Sequence, residues 1–313
     1  GGRPGGAGPG GAPSGRLQGV EQEGEKTMGK IVIVGSGPAG CSAALYAARA
    51  GQEVVVISMG MGALSKAELI QNYYGFEEGI TGAELYRQGV AGAKAVGAEF
   101  ITAEVVGLDY TGSLVVQTTE GDYPADAVIL ATGTGRIAPK IAGLAEHEGR
   151  GVSYCATCDA LFYRGKTAAV LGSGEYALHE VQALLPLAGR VILCTNGEPL
   201  TADFPEGVEI CTEKLAAVEG EEKVSALRLE NGELLPVEGL FVALGVAGSA
   251  ALARKLGAPV ENGRIVVDEK MQTGIPGLYA AGDCTGGLLQ VCKAVYEGAL
   301  AATEAIKQIR GKK

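Results

Sequence analysis

Short apolar runs, each followed by a glycine-rich turn and an alanine-rich segment of helical spacing, recur along the chain. Residues 30–34 read Lys-Ile-Val-Ile-Val, which predicts a buried parallel strand. The turn Gly-Ser-Gly-Pro-Ala-Gly follows at 35–40, and the spacing then predicts a helix over 41–51 and a second strand over 53–57. Strand, Gly-x-Gly-x-x-Gly, helix and strand are the context that a dinucleotide-binding unit requires.

The glycines of this turn let the backbone approach a pyrophosphate, and the start of the helix offers it free N–H groups. The second strand ends in Ser58, where an acidic residue usually holds a ribose hydroxyl. We therefore expect the ribose to be held either by another group or by a neutral hydrogen bond from Ser58. A later strand over 125–130 runs into Ala131-Thr132-Gly133, a closing turn that recurs in flavin-binding domains.

The same pattern returns in the second half of the chain. A strand is predicted over 167–171, a Gly-Ser-Gly turn over 172–174, a helix over 178–187 and a strand over 190–194. Strands over 265–268 and 277–283 and a final helix over about 290–309 return to the first unit. The predicted fold is α/β, with two Rossmann-like (three-layer ββα) nucleotide-binding domains, the second inserted into the first.

The predicted domain limits follow from this order. Residues 28–143 and 246–313 form a discontinuous first domain, and residues 144–245 form the second. Residues 1–27 are rich in Gly, Pro and charge, with almost no large apolar side chain, which predicts a disordered tail.

Composition narrows the class of function. Among 313 residues the net charge is −10, Trp is absent and no basic stripe occurs, so nucleic acid and anionic membrane are not expected partners. No apolar run is long enough to span a membrane. Seven cysteines include a single close pair, which indicates a reducing, cytoplasmic setting rather than a disulfide scaffold.

The close pair is Cys155-Ala156-Thr157-Cys158, followed directly by Asp159. A Cys-x-x-Cys at a helix start has a lowered thiol pKa, and its second cysteine can resolve a mixed disulfide. A carboxylic acid beside it can protonate the departing thiolate. The alternative is half of a zinc site, but no second Cys-x-x-Cys exists and His147 and His179 lack ligand spacing, so no metal is predicted.

From Met28 onward the chain resembles the low-molecular-weight flavin thioredoxin reductases. The resemblance rests on the 35–40 turn, Ala131-Thr132-Gly133, the Cys-Ala-Thr-Cys-Asp motif, and Gly282-Asp283 followed by Gln290-Val291. It implies a homodimer that binds FAD in the first domain and reduces the disulfide of thioredoxin or a thioredoxin-like protein.

The resemblance also implies residue roles. Cys158 would lie next to the flavin, Cys155 would exchange with the substrate disulfide, and Asp159 would handle protons. The residues expected to bind FAD are Gly35, Ser36, Gly37, Pro38, Ala39, Gly40, Ser58, Leu64, Asn72, Ala131, Thr132, Gly133, Gly282, Asp283, Gln290 and Val291.

The second nucleotide motif departs from the members that use NADPH. Glu175 follows the turn at 172–174 and would repel a pyrophosphate at the start of the helix. Residues 195–198 read Thr-Asn-Gly-Glu and contain no arginine for a 2′-phosphate. The chain is therefore closest to the ferredoxin-dependent members. Ferredoxin is the expected donor, and a basic patch for it could draw on Arg164, Lys166, Arg190 and Lys293.

Three alternatives remain open. The first is an NAD(P)H-dependent thioredoxin reductase with an atypical nucleotide site, the second an FAD-dependent dithiol oxidase that uses oxygen, and the third a flavin-binding protein with a structural role. His179 is predicted to lie at the surface. The remaining cysteines are predicted to be small buried thiols: Cys41, Cys194, Cys211, Cys284 and Cys292.

Overall fold

The computed structural model describes residues 1–2, 28–133 and 140–311. Apart from Gly1 and Gly2, the predicted tail over residues 1–27 lies outside the described residues and stays a prediction. In the described part of the chain, no helix is both long and apolar enough to cross a membrane.

The first domain is built on a parallel sheet with the strand order β18-β7-β1-β2-β3. Its strands are β1 (Lys30–Val34), β2 (Glu53–Ser58), β3 (Glu99–Thr102), β7 (Ala127–Leu130) and β18 (Leu278–Ala280). The alanine-rich helix α1 (Pro38–Arg49) and the final helix α6 (Val291–Gly311) cover one face, and α2 (Gly82–Ala95) packs beside α1. An antiparallel sheet covers the other face, with strands β4 (Val105–Tyr110), β5 (Leu114–Thr118) and β6 (Gly121–Ala125).

The second domain repeats this three-layer plan. Its parallel sheet has the order β11-β10-β9-β15-β8. The strands are β8 (Val152–Ser153), β9 (Thr167–Leu171), β10 (Arg190–Cys194), β11 (Glu209–Cys211) and β15 (Gly239–Val242). Helix α4 (Glu175–Leu184) covers one face. A second antiparallel sheet covers the other, with strands β12 (Leu215–Glu219), β13 (Ala226–Leu229) and β14 (Leu234–Pro236).

The predicted insertion of one domain into the other is confirmed by the strand order, because β8 to β15 lie in sequence between β7 and β18. The short helix α3 (Ala156–Asp159) carries the cysteine pair, and α5 (Ser249–Lys255) follows the return to the first domain. Strands β16 (Val260–Glu261) and β17 (Arg264–Ile265) form a hairpin beside α5.

The bounds of two elements differ from those that the sequence pattern predicts. Helix α4 begins earlier than predicted, at Glu175, and ends at Leu184 rather than 187, where Pro186 has no N–H to continue the intrahelical hydrogen bonds. The predicted strand over 265–268 keeps its pairing only at Ile265. There the carboxylate of Asp268 accepts hydrogen bonds from the N–H groups of Lys270 and Gln272 and forms a turn.

A close crossing of α1 and α6 holds the start of α1 in place. Gly298, in the middle of α6, lies so near α1 that an added Cβ would sit 2.1 Å from the backbone oxygen of Ala39. The absence of a side chain at Gly298 therefore permits this close crossing, and the crossing holds the first residues of α1 in position.

We expect Gly298→Ala to lower the stability of the protein by about 1–3 kcal/mol, because the methyl group meets rigid backbone. Gly92→Ala is the matched control. It also lies inside a helix, but its Cβ would meet only Leu45 at 3.7 Å, so a gain of up to about 1 kcal/mol is expected. Thermal and chemical unfolding would measure both. Equal effects at the two positions would contradict the packing role of Gly298.

Candidate functional site

A cavity of about 820 Å³ opens at the carboxyl ends of β1, β2 and β7. It is lined by all the predicted FAD residues except Gly40: Gly35, Ser36, Gly37, Pro38, Ala39, Ser58, Leu64, Asn72, Ala131, Thr132, Gly133, Gly282, Asp283, Gln290 and Val291. Residues that lie as far apart in the sequence as Gly35 and Val291 therefore meet in one place.

Gly40 lies behind the turn rather than in the cavity wall. A Cβ at this position would sit 1.8 Å from the backbone oxygen of Gly35. Gly35 itself has a φ of +107°, and its own Cβ would sit 2.4 Å from the oxygen of Ala131. Both glycines thus let strand, turn and helix pack closely, and Gly40 acts on the cavity only through that packing.

The amino end of α1 faces the cavity without a side-chain cap. Its N-cap is Gly37, and its first turn contains no acidic residue. The free N–H groups of such a helix start, together with its partial positive charge, suit an anion such as pyrophosphate. At the end of β2, the Oγ of Ser58 lies 2.7 Å from that of Ser36, which also lies 3.0 Å from the hydroxyl of Tyr86. The neutral hydroxyls of Ser58, Ser36 and Tyr86 therefore lie at the end of β2, where a dinucleotide-binding unit usually has an acidic residue.

A network from α6 shapes the loop that carries Asp283. The N–H of Gly282 donates to the Glu297 carboxylate at 2.8 Å, and the Lys293 ammonium donates to the backbone oxygens of Gly282 and Gly286 at 2.7 and 2.6 Å. Lys293 also pairs with Glu297 at 3.0 Å, and its side chain is only 14% exposed. The suggestion that Lys293 belongs to an exposed basic patch is therefore wrong.

The cysteine pair forms a disulfide, with the Cα atoms of Cys155 and Cys158 5.3 Å apart. Cys155 is the N-cap of α3, as expected for a reactive Cys-x-x-Cys. The hydroxyl of Ser153 donates to the Asp159 carboxylate at 2.7 Å and accepts from the N–H of Cys155 at 3.1 Å. Ser153 thus fixes the acid beside the disulfide, and the sequence pattern did not single it out.

The two sulfur atoms differ in access. Cys155 is 5% exposed and Cys158 is exposed, with its sulfur 3.3 Å from the backbone oxygen of Lys255 at the end of α5. The wall of the 820 Å³ cavity includes Gly248, the N-cap of α5, but neither cysteine. The disulfide therefore contacts the end of α5 that lies away from the cavity.

Glu180 of α4 connects the disulfide to the first domain. One carboxylate oxygen accepts from the N–H of Ala156, the first residue of α3, and the other pairs with the Lys255 ammonium and lies 3.3 Å from His179 Nδ1. The side chains of Glu180 and Lys255 are 1% and 2% exposed. Burial raises the pKa of Glu180, but the contacts from His179, Lys255 and Ala156 outweigh it, so the net pKa is lowered.

The amino end of α4 differs from that of α1. Glu175 lies in its first turn, and Glu104 of the first domain lies close enough to Tyr176 for the backbone N–H of Tyr176 to offset part of the rise in the Glu104 pKa. Burial and the charge of Glu175 raise the pKa of Glu104, and Glu104 Oε1 is buried without a hydrogen-bond partner. Two carboxylates therefore occupy the helix start that would receive the phosphates of a second nucleotide.

Some predicted side-chain environments need correction. His179 is not a surface residue, because its side chain is 20% exposed and its ring approaches Gly107 of β4. Cys292 is exposed and Cys211 is half-buried, whereas Cys41, Cys194 and Cys284 are buried as predicted. In the described ranges, no group of three or more His, Cys, Asp and Glu residues is placed to hold a metal ion.

Comparison with known proteins agrees with the motifs. The model of the pyridine nucleotide-disulphide oxidoreductases matches residues 29–298. A thioredoxin reductase of Aquifex aeolicus (strain VF5) is 35% identical over 307 residues, covering 90% of this chain and 94% of the relative.

Among solved structures, the atypical thioredoxin reductase TRi from Desulfovibrio vulgaris Hildenborough is similar with a TM-score of 0.85 and 40% identity, covering 90% of this chain and 98% of that one. A ferredoxin-flavin thioredoxin reductase from Clostridium acetobutylicum has a TM-score of 0.70 and 35% identity, covering 91% and 99%. The chain belongs to the pyridine nucleotide-disulphide oxidoreductase family and, within it, to the thioredoxin reductases. These are flavoproteins that bind FAD.

We expect Lys255→Met and Glu180→Gln each to destabilise the protein by about 3–5 kcal/mol, because each leaves a buried group unpaired. The double variant should lose less than the sum of the two. Since the pKa of Glu180 is lowered, its contribution is present at neutral pH and is lost as the pH falls through the lowered value. Unfolding midpoints across pH would measure this coupling.

Lys307→Met is the control, because the ammonium of Lys307 pairs with Glu304 while its side chain is 66% exposed. An exposed pair contributes at most about 1 kcal/mol. Additive losses for Lys255→Met and Glu180→Gln, or a loss at Lys307 of the same size, would argue against a buried link between the domains.

Proposed function

We propose that this thioredoxin reductase takes its electrons from ferredoxin and passes them through FAD and the Cys155/Cys158 dithiol to thioredoxin or a similar disulfide protein. The observation that carries the proposal is the start of α4. There Glu175 and Glu104 take the place of a pyrophosphate, and the segment after β10 contains no arginine or lysine over 195–198.

FAD is proposed to lie in the 820 Å³ cavity. The uncapped start of α1 would receive its pyrophosphate, and the hydroxyls of Ser36 and Ser58 would serve its ribose. The loop of Asp283, held by Glu297 and Lys293, would contact the flavin end. When bound, FAD accepts electrons one at a time and delivers two to a disulfide.

The domain limits at 28–143, 144–245 and 246–313 remain a prediction.

The chain's own residues divide the thiol chemistry. The two thiols of the reduced pair form when the sulfur–sulfur bond accepts two electrons and two protons. We assign the exchange of a proton with them to the Asp159 carboxyl, which accepts a hydrogen bond from Ser153. We assign attack on the substrate disulfide to Cys155 and resolution of the mixed disulfide to Cys158. Because Cys155 is buried in the described arrangement, α3 has to separate from its surroundings before a protein disulfide can reach it.

Two surfaces support protein partners. Leu161 and Phe162 follow the dithiol directly and are 65% and 71% exposed, which suits an apolar contact with a disulfide protein. Arg164, Lys166 and Arg190 are exposed, and the N–H of Arg190 bonds to the backbone oxygen of Lys166. The Arg190 guanidinium pairs with the Glu209 carboxylate through two hydrogen bonds, so the positive charge offered to an acidic carrier rests on Arg164 and Lys166, against a net charge of −10. A homodimer and a cytoplasmic location remain predictions.

Anaerobic reduction of the purified flavoprotein tests the donor. We expect reduced ferredoxin to bleach the flavin absorbance rapidly. NADPH and NADH should fail even at about 1 mM, the upper end of usual Michaelis constants, because the carboxylates at α4 repel the phosphates. A small dithiol, added last, serves as the control that the flavin and the cysteine pair are intact.

Rapid bleaching by NADPH or NADH would overturn the ferredoxin assignment and favour an atypical nucleotide site. Failure of ferredoxin, combined with bleaching by dithiols and oxygen uptake, would favour a dithiol oxidase. If none of the reductants led to reduction of thioredoxin, the result would favour a flavin-binding protein with a structural role.

The roles of the two cysteines can be separated by trapping. We expect Cys158→Ser, mixed with oxidised thioredoxin after reduction, to accumulate a mixed disulfide through Cys155, because the resolving thiol is missing. Steady-state disulfide reduction should fall at least about a thousandfold, as for loss of a covalent catalytic group. Non-reducing gel electrophoresis and peptide mass spectrometry would detect the adduct. An adduct formed by Cys155→Ser through Cys158, and not by Cys158→Ser, would reverse the assignment.

A further inference from the structure

A second pair of cysteines lies in the second domain, remote from the Cys155/Cys158 disulfide. Cys194 is the last residue of β10 and Cys211 the last residue of β11, and the two are direct partners in the register of these parallel strands. Side chains of register partners point to the same face of a sheet. Here that face is the one covered by β12 to β14, where Cys194 is fully buried and Cys211 is packed at its edge.

The geometry permits a bond between the two sulfur atoms. Neighbouring strands lie about 4.8 Å apart, and the Cα atoms of a disulfide are usually about 4.4–6.8 Å apart. The Cys194 thiol lies close enough to Cys211 to lower the pKa of the Cys211 thiol. The strand order β11-β10-β9-β15-β8 puts four strand spacings, roughly 19 Å, between Cys211 and the strand that precedes the first dithiol. The pair therefore stands apart from Cys155 and Cys158.

The two sulfurs are inequivalent. Cys211 is half-buried and open to small solutes, whereas Cys194 is 0% exposed. Hydrogen bonds from the Cys194 thiol and the Glu213 N–H lower the pKa of Cys211 to about 6, against burial and the charges of Glu213 and Glu233. The Cys211 thiolate, burial and the charge of Glu209 raise the pKa of Cys194. A half-buried thiolate thus lies beside a buried neutral thiol, the arrangement that peroxide-sensitive pairs require.

We propose that Cys194 and Cys211 form a second redox-active pair, in which a hydroperoxide oxidises Cys211 and Cys194 closes the product to a disulfide. The Cys211 thiolate attacks the peroxide, an S–O bond forms, the O–O bond breaks, and the leaving oxygen takes a proton. The sulfur loses two electrons and the peroxide gains them. The Cys194 thiol then attacks the sulfenic sulfur, an S–S bond forms, and water leaves. Overall, two thiols and one hydrogen peroxide give one disulfide and two waters.

The test uses the full-length, FAD-loaded protein with its free thiols reduced and Cys155–Cys158 oxidised. After equimolar hydrogen peroxide, alkylation and proteolysis, we expect a peptide pair linked through Cys194 and Cys211 and 2 Da lighter than the reduced peptides. Cys194→Ala should instead leave a sulfenic acid on Cys211 that dimedone captures. Cys292→Ser is the control, because Cys292 is an exposed thiol and its loss should not change the linked product.

The pH dependence of alkylation provides a second measurement that needs no peroxide. The rate at Cys211 should rise with a midpoint near pH 6, and Cys194→Ala should move that midpoint upward because it removes a hydrogen-bond donor. The proposal would be overturned by the absence of a Cys194–Cys211 link after peroxide. A link from Cys211 to a cysteine of another molecule would overturn the role of Cys194.

Discussion

The buried ion pair between Glu180 and Lys255 is the contact on which the relative position of the two domains depends. Glu180 belongs to α4 of the inserted domain, Lys255 ends α5 of the first, and the same carboxylate binds the N–H that begins α3. Removing two charges from water costs several kcal/mol for each ion, and a good pair roughly restores it. The pair therefore adds little to the net free energy of domain association. It does strongly disfavour any arrangement in which the domains stay in contact but one of the two charges remains buried without its partner.

The amino ends of α1 and α4 show how one fold can serve two tasks. Both helices follow a glycine-rich turn at the carboxyl end of a parallel strand. The start of α1 is free of side chains and opens on a cavity, whereas Glu175 and Glu104 fill the start of α4. Since Glu104 comes from the first domain, a position that would serve a phosphate has become a point of contact between the domains. Helix α4 is thereby held near its start and along its length.

Much of this architecture could be predicted from local sequence, because in each Rossmann-like unit a strand, a glycine turn and a helix follow one another in consecutive residues. The same pattern predicted the glycine turn at 35–40, whereas the other cavity residues, as far as Val291, were implied mainly by the family resemblance. The Glu180–Lys255 ion pair and the approach of Glu104 to the start of α4 were not predicted, since both join segments that are distant in the sequence and their spacing carries no pattern. The pairing of Cys194 with Cys211 depends on strand register, which periodicity alone leaves undetermined.

The polar character of the domain contact also bears on the dithiol. Cys155 is buried in the closed arrangement, so thioredoxin can reach it only after α3 moves. An interface held by apolar area alone would lose about 25 cal/mol for every Å² exposed on opening. Glu180, Lys255 and Glu104 instead regain hydration when they separate, which offsets much of the lost attraction. The ion pair therefore defines the relative position of the domains without contributing much to the free energy that holds them together. This is compatible with a disulfide that has to react first with its electron donor and then with thioredoxin.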